Sequence, residues 1–367
     1  MGTRIIGCGK ALPQLEVSND DLAAYVDTND EWIFSRTGIR SRHIAVKEST
    51  LDLACEAARR ALGESDSEGD CWIEKTTAPE DIDLVICATL SADTLIPSAA
   101  AGVKRILGLE HAVAFDLNAA CSGFIYGLSV ADSMMTASNL PTPCKKQPMK
   151  RALVIGVDRL SRILDWNDRN TCVLFGDGAG AAVVEWDESD SGLLATYLKT
   201  VDDVHNSLLC QTAYDSELFF NTEGVLAESP EGIDPSYASL CEALECEPER
   251  LTTSVRMLGQ SVFKFASRAL CDAIEQVLEA SGLSLDDIAL IVPHQANERI
   301  IKYAAKRLKL DLDKFQVCMA GTGNTSAASI PVALVDAYAE GRIKKGDKVI
   351  AVAFGAGLTY GGVLFET

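Results

Sequence analysis

A chain of 367 residues exceeds what one hydrophobic core usually holds and points to two domains or two fused halves. Hydrophobic residues at 47% and charged residues at 23% describe an ordinary globular protein. The 33 basic against 53 acidic side chains, a formal charge of −20, exclude nucleic acid and anionic membrane surfaces as general partners.

The predicted elements alternate in the manner of an α/β protein. In chain order they are a strand at Arg4–Gly7, a helix at Thr50–Leu62, a strand at Leu84–Leu90 and a helix at Ala99–Leu107. A strand at Ala112–Leu117, a helix at Cys121–Ser138 and strands at Ala152–Val157 and Ala179–Glu185 follow. The second half carries a helix at Gly259–Glu279, a strand at Ala289–Val292 and a helix at Glu298–Lys309. It ends with a strand at Lys314–Cys318, a helix at Ser326–Glu340 and a strand at Lys348–Phe354. The helices are assigned on apolar positions recurring at intervals of three and four. Glu64–Pro79, Leu140–Met149 and the acidic Gln211–Arg250 read as surface insertions without regular structure. No apolar run approaches the roughly 20 residues that span a bilayer. Foldable sequence from Arg4 leaves no room for a leader, so a cytoplasmic protein is expected, or one of a plastid-type stroma after removal of a transit peptide.

Three blocks of the first half recur, in order, in the second. DIDLVICATL (Asp81–Leu90) resembles DIALIVPHQA (Asp287–Ala296), and FDLNAACSGFIYGLSVADS (Phe115–Ser133) resembles QVCMAGTGNTSAASIPVALVDAY (Gln316–Tyr338). ALVIGVD with FGDGAGAAVVE (Ala152–Glu185) is echoed by VIAVAFGAGLTYGGVLF (Val349–Phe365). A long repeat occurring twice marks a duplicated domain and not a solenoid. The expected division is 1–190 and 191–367.

Twelve cysteines are scattered through apolar runs with no CxxC pair, and there are four histidines, so buried thiols are expected and neither a disulfide set nor zinc. Cys121 stands apart because it ends DLNAAC, with a helix immediately after it. Unpaired N–H groups and the helix dipole at such a turn favour thiolate, and Ala119, Ala120, Ser122 and Gly123 allow close approach. His294, in VPHQAN at the carboxyl end of a strand, faces the crevice where open α/β sheets bind ligands. It can donate a hydrogen bond or move a proton, unless it is a core or capping histidine. Asn324, in GTGNTSAAS, falls nearly where Cys121 falls in the first half. It is either an N-cap or an uncharged donor to an oxyanion. The glycine strings at Phe175–Ala182 and Ala353–Gly362 lack the GxxxxGK[ST] spacing and indicate close backbone packing, not a nucleotide site.

DEWIFSRTGIRSRHI (Asp30–Ile44), AACSGF, GDGAGAA, VPHQAN, GNTSAAS and the terminal FGAG together resemble β-ketoacyl-acyl carrier protein synthase III, from Arg4 nearly to Phe365 apart from the insertions. The resemblance implies a thiolase-like duplicated fold of five layers, αβαβα, with two similar halves about a pseudo-two-fold. It implies a homodimer acting on acyl-coenzyme A and malonyl-acyl carrier protein to begin type II fatty acid synthesis, with no metal or prosthetic group. Cys121 would be the nucleophile, His294 and Asn324 its partners, and the amides of Cys121 and Ala356 the oxyanion hole. The coenzyme A tunnel would be lined by Trp32, Arg36, Thr37, Arg169, Met257, Gly259, Val262, Phe263, Asn297 and Phe354, with Trp32 and Arg169 sandwiching the adenine. A flat tryptophan beside a cation suits an adenine with phosphates.

Arg299, Lys302 and Lys306 form a basic stripe in NERIIKYAAKRLKL, either a solvated face or a landing place for an acidic carrier. Lys264, Arg299, Lys306 and Arg307 are the docking candidates. At Thr322-Gly323, Thr322 stands just before GNTSAAS, where the family usually has an aromatic residue or histidine. Ile96 stands where the family often has a larger aromatic residue lining the partner subunit's acyl pocket, which leaves the primer length open. Papain-like proteases also order Cys, His and Asn, but the CGSCW-type flank is absent and the chain is duplicated.

Overall fold

The computed structural model describes residues 2–64, 69–141, 146–188, 192–210 and 254–367. The first half runs β1 (Gly2–Ala11), β2 (Leu15–Ser18), α1 (Asn19–Leu22), α2 (Asp30–Thr37), β3 (Ser41–Ile44), α3 (Thr50–Leu62), β4 (Cys71–Ile73) and β5 (Leu84–Ala88). It continues through α4 (Ala99–Leu107), β6 (Val113–Leu117), α5 (Gly123–Asn139), β7 (Arg151–Arg159) and β8 (Asp177–Asp187). Beyond it come β9 (Leu193–Thr200), β10 (Leu208–Leu209), β11 (Arg256–Met257), α6 (Gly259–Ser281), β12 (Leu290–Pro293) and α7 (Glu298–Leu308). The chain closes with α8 (Met319–Thr322), α9 (Ser329–Ala339), β13 (Lys348–Gly355) and β14 (Thr359–Glu366).

Ends of helices follow local chemistry. Ser49 caps α3 in a reciprocal box with Asp52, and Ser98 caps α4 by accepting from the Ala101 amide. Gly63 and Gly108 end these two helices in the left-handed conformation.

Two sheets repeat one plan. In the first, β1-β8-β7-β5-β6 are adjacent in that order, with β4 added outside β1. In the second, the order β9-β14-β13-β12 repeats β1-β8-β7-β5, and both middle pairs match: β5 with β7 and β12 with β13 are parallel, β7 with β8 and β13 with β14 antiparallel. Helices α3 and α4 pack on the outer face of the first sheet. Helices α6 and α7 pack on the outer face of the second. Helices α5 and α9 lie between the sheets in a core that draws residues from both. That is the expected five-layer αβαβα arrangement.

The predicted strand at Lys314–Cys318 is corrected. Only a single parallel bridge between Ile291 and Phe315 forms where β6 pairs with β5 in the first half. The Gln295 side chain replaces the ladder. Its amide donates to the Gln316 carbonyl at 3.0 Å and its oxygen accepts from the Cys318 amide at 2.9 Å. The 64–79 segment is not wholly irregular, because Cys71–Ile73 adds an edge strand to β1. The 211–250 insertion, with Cys241 and Cys246, lies outside the described residues, as does Cys144. The other nine cysteines are free thiols.

Candidate active site

Cys121 sits in a single 3₁₀ turn, Ala120–Ser122, between β6 and α5. Ala120 is held at φ +47°, a left-handed conformation uncommon for a residue with a Cβ. The opposing turn, Ser326–Ala328, enters α9 with Ser326 at φ +53°. Asn118 Oδ1 accepts from the Ala120 amide at 3.1 Å, and Asn324 Oδ1 accepts from the Ser326 amide at 2.9 Å. The match is residue for residue, so Asn324 corresponds to Asn118, and Cys121 corresponds to Ala327. The expected alignment of Asn324 with Cys121 is therefore corrected by three residues. The N-cap reading of Asn324 is corrected, because Thr325 and Ala328 stand at the N-caps of the turn and the helix. The Asn324 oxygen closes the turn, while its amide nitrogen has no partner among the described residues and remains available to donate. Gly323, at φ +62° and ψ −163°, makes a turn only glycine takes easily.

Cys121, His294 and Asn324 line one largely apolar pocket. Ala356, Gly355, Phe354, Met257, Gly259, Val262, Phe263 and Asn297 line it too. A side chain at Gly355 would come within 2.8 Å of the Cys121 amide nitrogen, so the end of β13 lies directly on the Cys121 backbone. Leu174, Phe175, Leu208, Phe265, Ala296, Ile300 and Leu358 also line the pocket. Sequence reasoning missed them because apolar residues in loops and on helix faces carry no signal separating a pocket wall from a core.

Burial acts on Cys121 against its ionised form. It pushes the thiol up to about 12, and the Asp158 carboxylate pushes the same way. That direction opposes the pull of the helix dipole toward the expected thiolate. Asp158 is fully buried and accepts from Ser91 Oγ at 2.7 Å, the Leu90 amide at 2.9 Å and Thr89 Oγ1 at 3.1 Å. Burial raises its own pKa in spite of these donors. The buried Ser326 hydroxyl lies close enough to both Cys121 and Asp158 to favour their ionised forms, though it makes no hydrogen bond of regular geometry.

His294 is 2% exposed, packs edge-on to Phe354 with ring centroids 5.1 Å apart, and places Nδ1 2.6 Å from Ser329 Oγ. Burial lowers its pKa to about 3, so the ring is neutral at pH 7. The expectation of a proton shuttle near neutral pH gives way to that of a neutral donor.

Four expected tunnel residues are not in the pocket wall. Trp32 carries the Arg36 guanidinium 4.6 Å and the Arg169 guanidinium 5.1 Å from its ring centroid. Arg169 also donates to the Asp27 carbonyl at 2.8 Å. Thr37 is buried, its hydroxyl donating to the Ile33 carbonyl at 2.7 Å and accepting from the Ile39 amide, so it caps α2 from within. Ile96 is 84% exposed beside Leu95 and does not line its own chain's pocket.

Lys264, Arg299, Lys306 and Arg307 are exposed on α6 and α7. Arg299 lies 5.6 Å over the ring of Phe263, a pocket residue, while Lys302 is taken up by Glu298 at 2.7 Å. Among the described residues no group of three His, Cys, Asp or Glu could hold a metal ion, and no helix is long and apolar enough to cross a membrane.

Two family models match the chain. 3-Oxoacyl-[acyl-carrier-protein] synthase III covers residues 115–201, and its C-terminal model covers 278–367. A Clostridium beijerinckii protein named β-ketoacyl-[acyl-carrier-protein] synthase III is 40% identical over 363 residues, 99% of this chain and 98% of that one. The chain belongs to the β-ketoacyl-acyl carrier protein synthase III family. A relative of the same name from Caldanaerobacter subterraneus is 43% identical over 357 residues, 97% of this chain and 95% of the other. The crystal structure of the Aquifex aeolicus 3-oxoacyl-[acyl-carrier-protein] synthase III superposes with a TM-score of 0.82 at 38% identity, covering all of both chains. That from Thermus thermophilus also gives 0.82, at 36% identity over 99% of each chain. These solved structures of the synthase III family share the five-layer plan described above.

Proposed function

We propose that this condensing enzyme joins an acyl-coenzyme A primer, acetyl-coenzyme A foremost, to malonyl-acyl carrier protein. The products are 3-oxoacyl-acyl carrier protein, coenzyme A and carbon dioxide. One observation carries the reading: Cys121, His294 and Asn324, from three separate segments, line one apolar pocket with the end of β13 on the Cys121 amide.

In the first half-reaction Cys121 attacks the primer thioester while the amides of Cys121 and Ala356 hold the tetrahedral oxyanion. The cysteine starts as a thiol, so its proton leaves with coenzyme A, and the S-acyl bond forms as the coenzyme A thioester breaks. In the second, the malonyl thioester oxygen takes hydrogen bonds from His294 and Asn324 Nδ2. Carbon dioxide departs, and the carbanion left behind attacks the acyl-cysteine it was bound beside. The released sulfur takes a proton from solvent. A neutral His294 fits this work, because it stabilises enolate charge without competing for the substrate's carboxylate.

Trp32, Arg36 and Arg169 are proposed to hold the coenzyme A nucleotide at the pocket mouth. Arg169 would have to lift from the ring, because 5.1 Å is too close to admit an adenine between them. Lys264, Arg299, Lys306 and Arg307 are proposed to dock the acidic carrier, with Arg299 at the rim beside Phe263. The exposed Leu95 and Ile96 support a homodimer in which Ile96 reaches the partner's acyl pocket. The halves 1–190 and 191–367 are the proposed domains, and a cytoplasmic or stromal setting fits the substrates.

The purified protein, given acetyl-coenzyme A and malonyl-acyl carrier protein, is expected to yield 3-oxobutanoyl-carrier protein and an acetyl adduct on Cys121, both read by mass spectrometry. Product formed without any Cys121 adduct would refute the mechanism.

A further inference from the structure

We propose that Ser329 is a positioning residue that keeps the ring proton of His294 on Nε2, so that the imidazole donates into the pocket and does not serve as base to Cys121. The inference deepens the function proposed above and rests on it.

Ser329 Oγ is 2% exposed and has two partners among the described residues: the Gln295 amide at 3.4 Å and His294 Nδ1 at 2.6 Å. The Gln295 N–H can only donate, so it takes a lone pair of the oxygen. A buried hydroxyl must also place its own proton, and Nδ1 is the one acceptor that the described residues offer it. Nδ1 therefore accepts, and a neutral imidazole that accepts there carries its hydrogen on Nε2. Were Nδ1 protonated, the Ser329 O–H would be buried without an acceptor. Gln295 stiffens the arrangement. It is 1% exposed, and its side chain is tied to the Pro293 and Gln316 carbonyls and the Cys318 amide.

The duplication gives an independent line. In the alignment set by Asn118 with Asn324, His294 stands where Ala88 stands, and Ser329 where Gly123 stands. In the first half that pair is packed so closely that a Cβ on Gly123 would lie 2.8 Å from the Ala88 Cβ. The second half carries two larger, hydrogen-bonded side chains at the same crossing of strand end and helix start. A histidine there without the serine would leave Nδ1 unpaired.

The test uses the full chain with ¹⁵N-labelled histidine at pH 7, the His294 signals being identified by their loss in His294→Gln. The expected wild-type pattern is a protonated Nε2 and an accepting Nδ1. Ser329→Ala should lose that single tautomer. It should slow malonyl-carrier decarboxylation about 100-fold, less than the roughly 10⁴ known for a triad histidine held in the wrong tautomer, because the ring still samples the right one. Acetylation of Cys121 should stay within about threefold, and Ser329→Thr, which keeps the hydroxyl, should restore tautomer and most of the rate. An Nδ1–H ring in the wild type, or a Ser329→Ala variant that decarboxylates normally, would overturn the inference. Normal decarboxylation by His294→Ala, which keeps no donor, would instead overturn the function on which the inference rests, while the ¹⁵N pattern still reads the tautomer separately.

Discussion

The turns at 118–123 and 324–329 are one backbone device used twice. Each has an asparagine whose oxygen closes the turn, a non-glycine residue at positive φ, a single 3₁₀ turn and then the start of a helix. Their side chains differ where chemistry requires it: Cys121 against Ala327, Gly123 against Ser329, and upstream Ala88 against His294. Duplication has kept the geometry that aims a side chain at the interface of the halves. In the proposed mechanism the first half supplies a nucleophile and the second supplies donors.

The largest effect should come from removing the proposed nucleophile, which the second turn lacks. Cys121→Ala gives the first turn the side chain of the second, and the acyl-enzyme formed from radiolabelled acetyl-coenzyme A should fall below detection. Normal labelling of that variant would move the nucleophile elsewhere. The next test separates the shared duty of the asparagines from the unshared one. Asn324→Ala should still acylate but lose decarboxylation about 10²–10³-fold, the usual cost of one oxyanion donor. Asn324→Asp retains an oxygen for the Ser326 amide and loses the N–H donor, so it should be as poor in decarboxylation as Asn324→Ala. Its carboxylate, buried with no cation to pair it among the described residues, should make it the less stable of the two. Equal stability of the two would mean that the pocket leaves the carboxylate hydrated.

His294 offers a contrast with Ala88 that pH can read. Its folded pKa lies near 3, below the ordinary value of 6.5. Between those values the unfolded chain binds a proton that the folded chain refuses, so stability falls as pH drops through the window. The slope approaches about 1.4 kcal/mol per pH unit. From pH 6.5 to 4.5 the wild type should lose roughly 2 kcal/mol more than His294→Gln, measured by urea denaturation at each pH. Parallel losses would place the titrating group elsewhere.

Much of this arrangement was legible in the sequence because the repeat is written in motifs. The strand before each turn, the helix after it and the exceptional place of Cys121 follow from apolar runs that end in small residues. The alignment slipped by three residues because sequence matching sees residue types, while the equivalence lies in positive φ and in which amide each asparagine caps. The Lys314–Cys318 segment looks like a strand, yet its ladder is supplied by the side chain of Gln295, a substitution no periodicity reveals. The eight-residue helix at Asp30–Thr37 is too short for its spacing to speak, though Asn29 and Gly38 bracket it. Ser329 lay in plain view within GNTSAAS. Its purpose depends on a nitrogen 35 positions away and appears only in three dimensions.

The smallest predicted effect is also the sharpest check on the comparison. Asn118 has the turn-closing duty of Asn324 and, on the exposed side of its turn, no donor duty. Asn118→Ala should therefore cost about 1 kcal/mol, the usual price of a lost cap, with acylation and decarboxylation both within about threefold of the wild type. Thermal melting would read the first quantity and the two half-reaction assays the second. A hundredfold loss of acylation would mean that the Asn118 turn sets the attack geometry of Cys121, and the two asparagines would then divide the half-reactions between them. A variant unchanged in both stability and rate would leave the left-handed Ala120 to be held by packing against β13 alone.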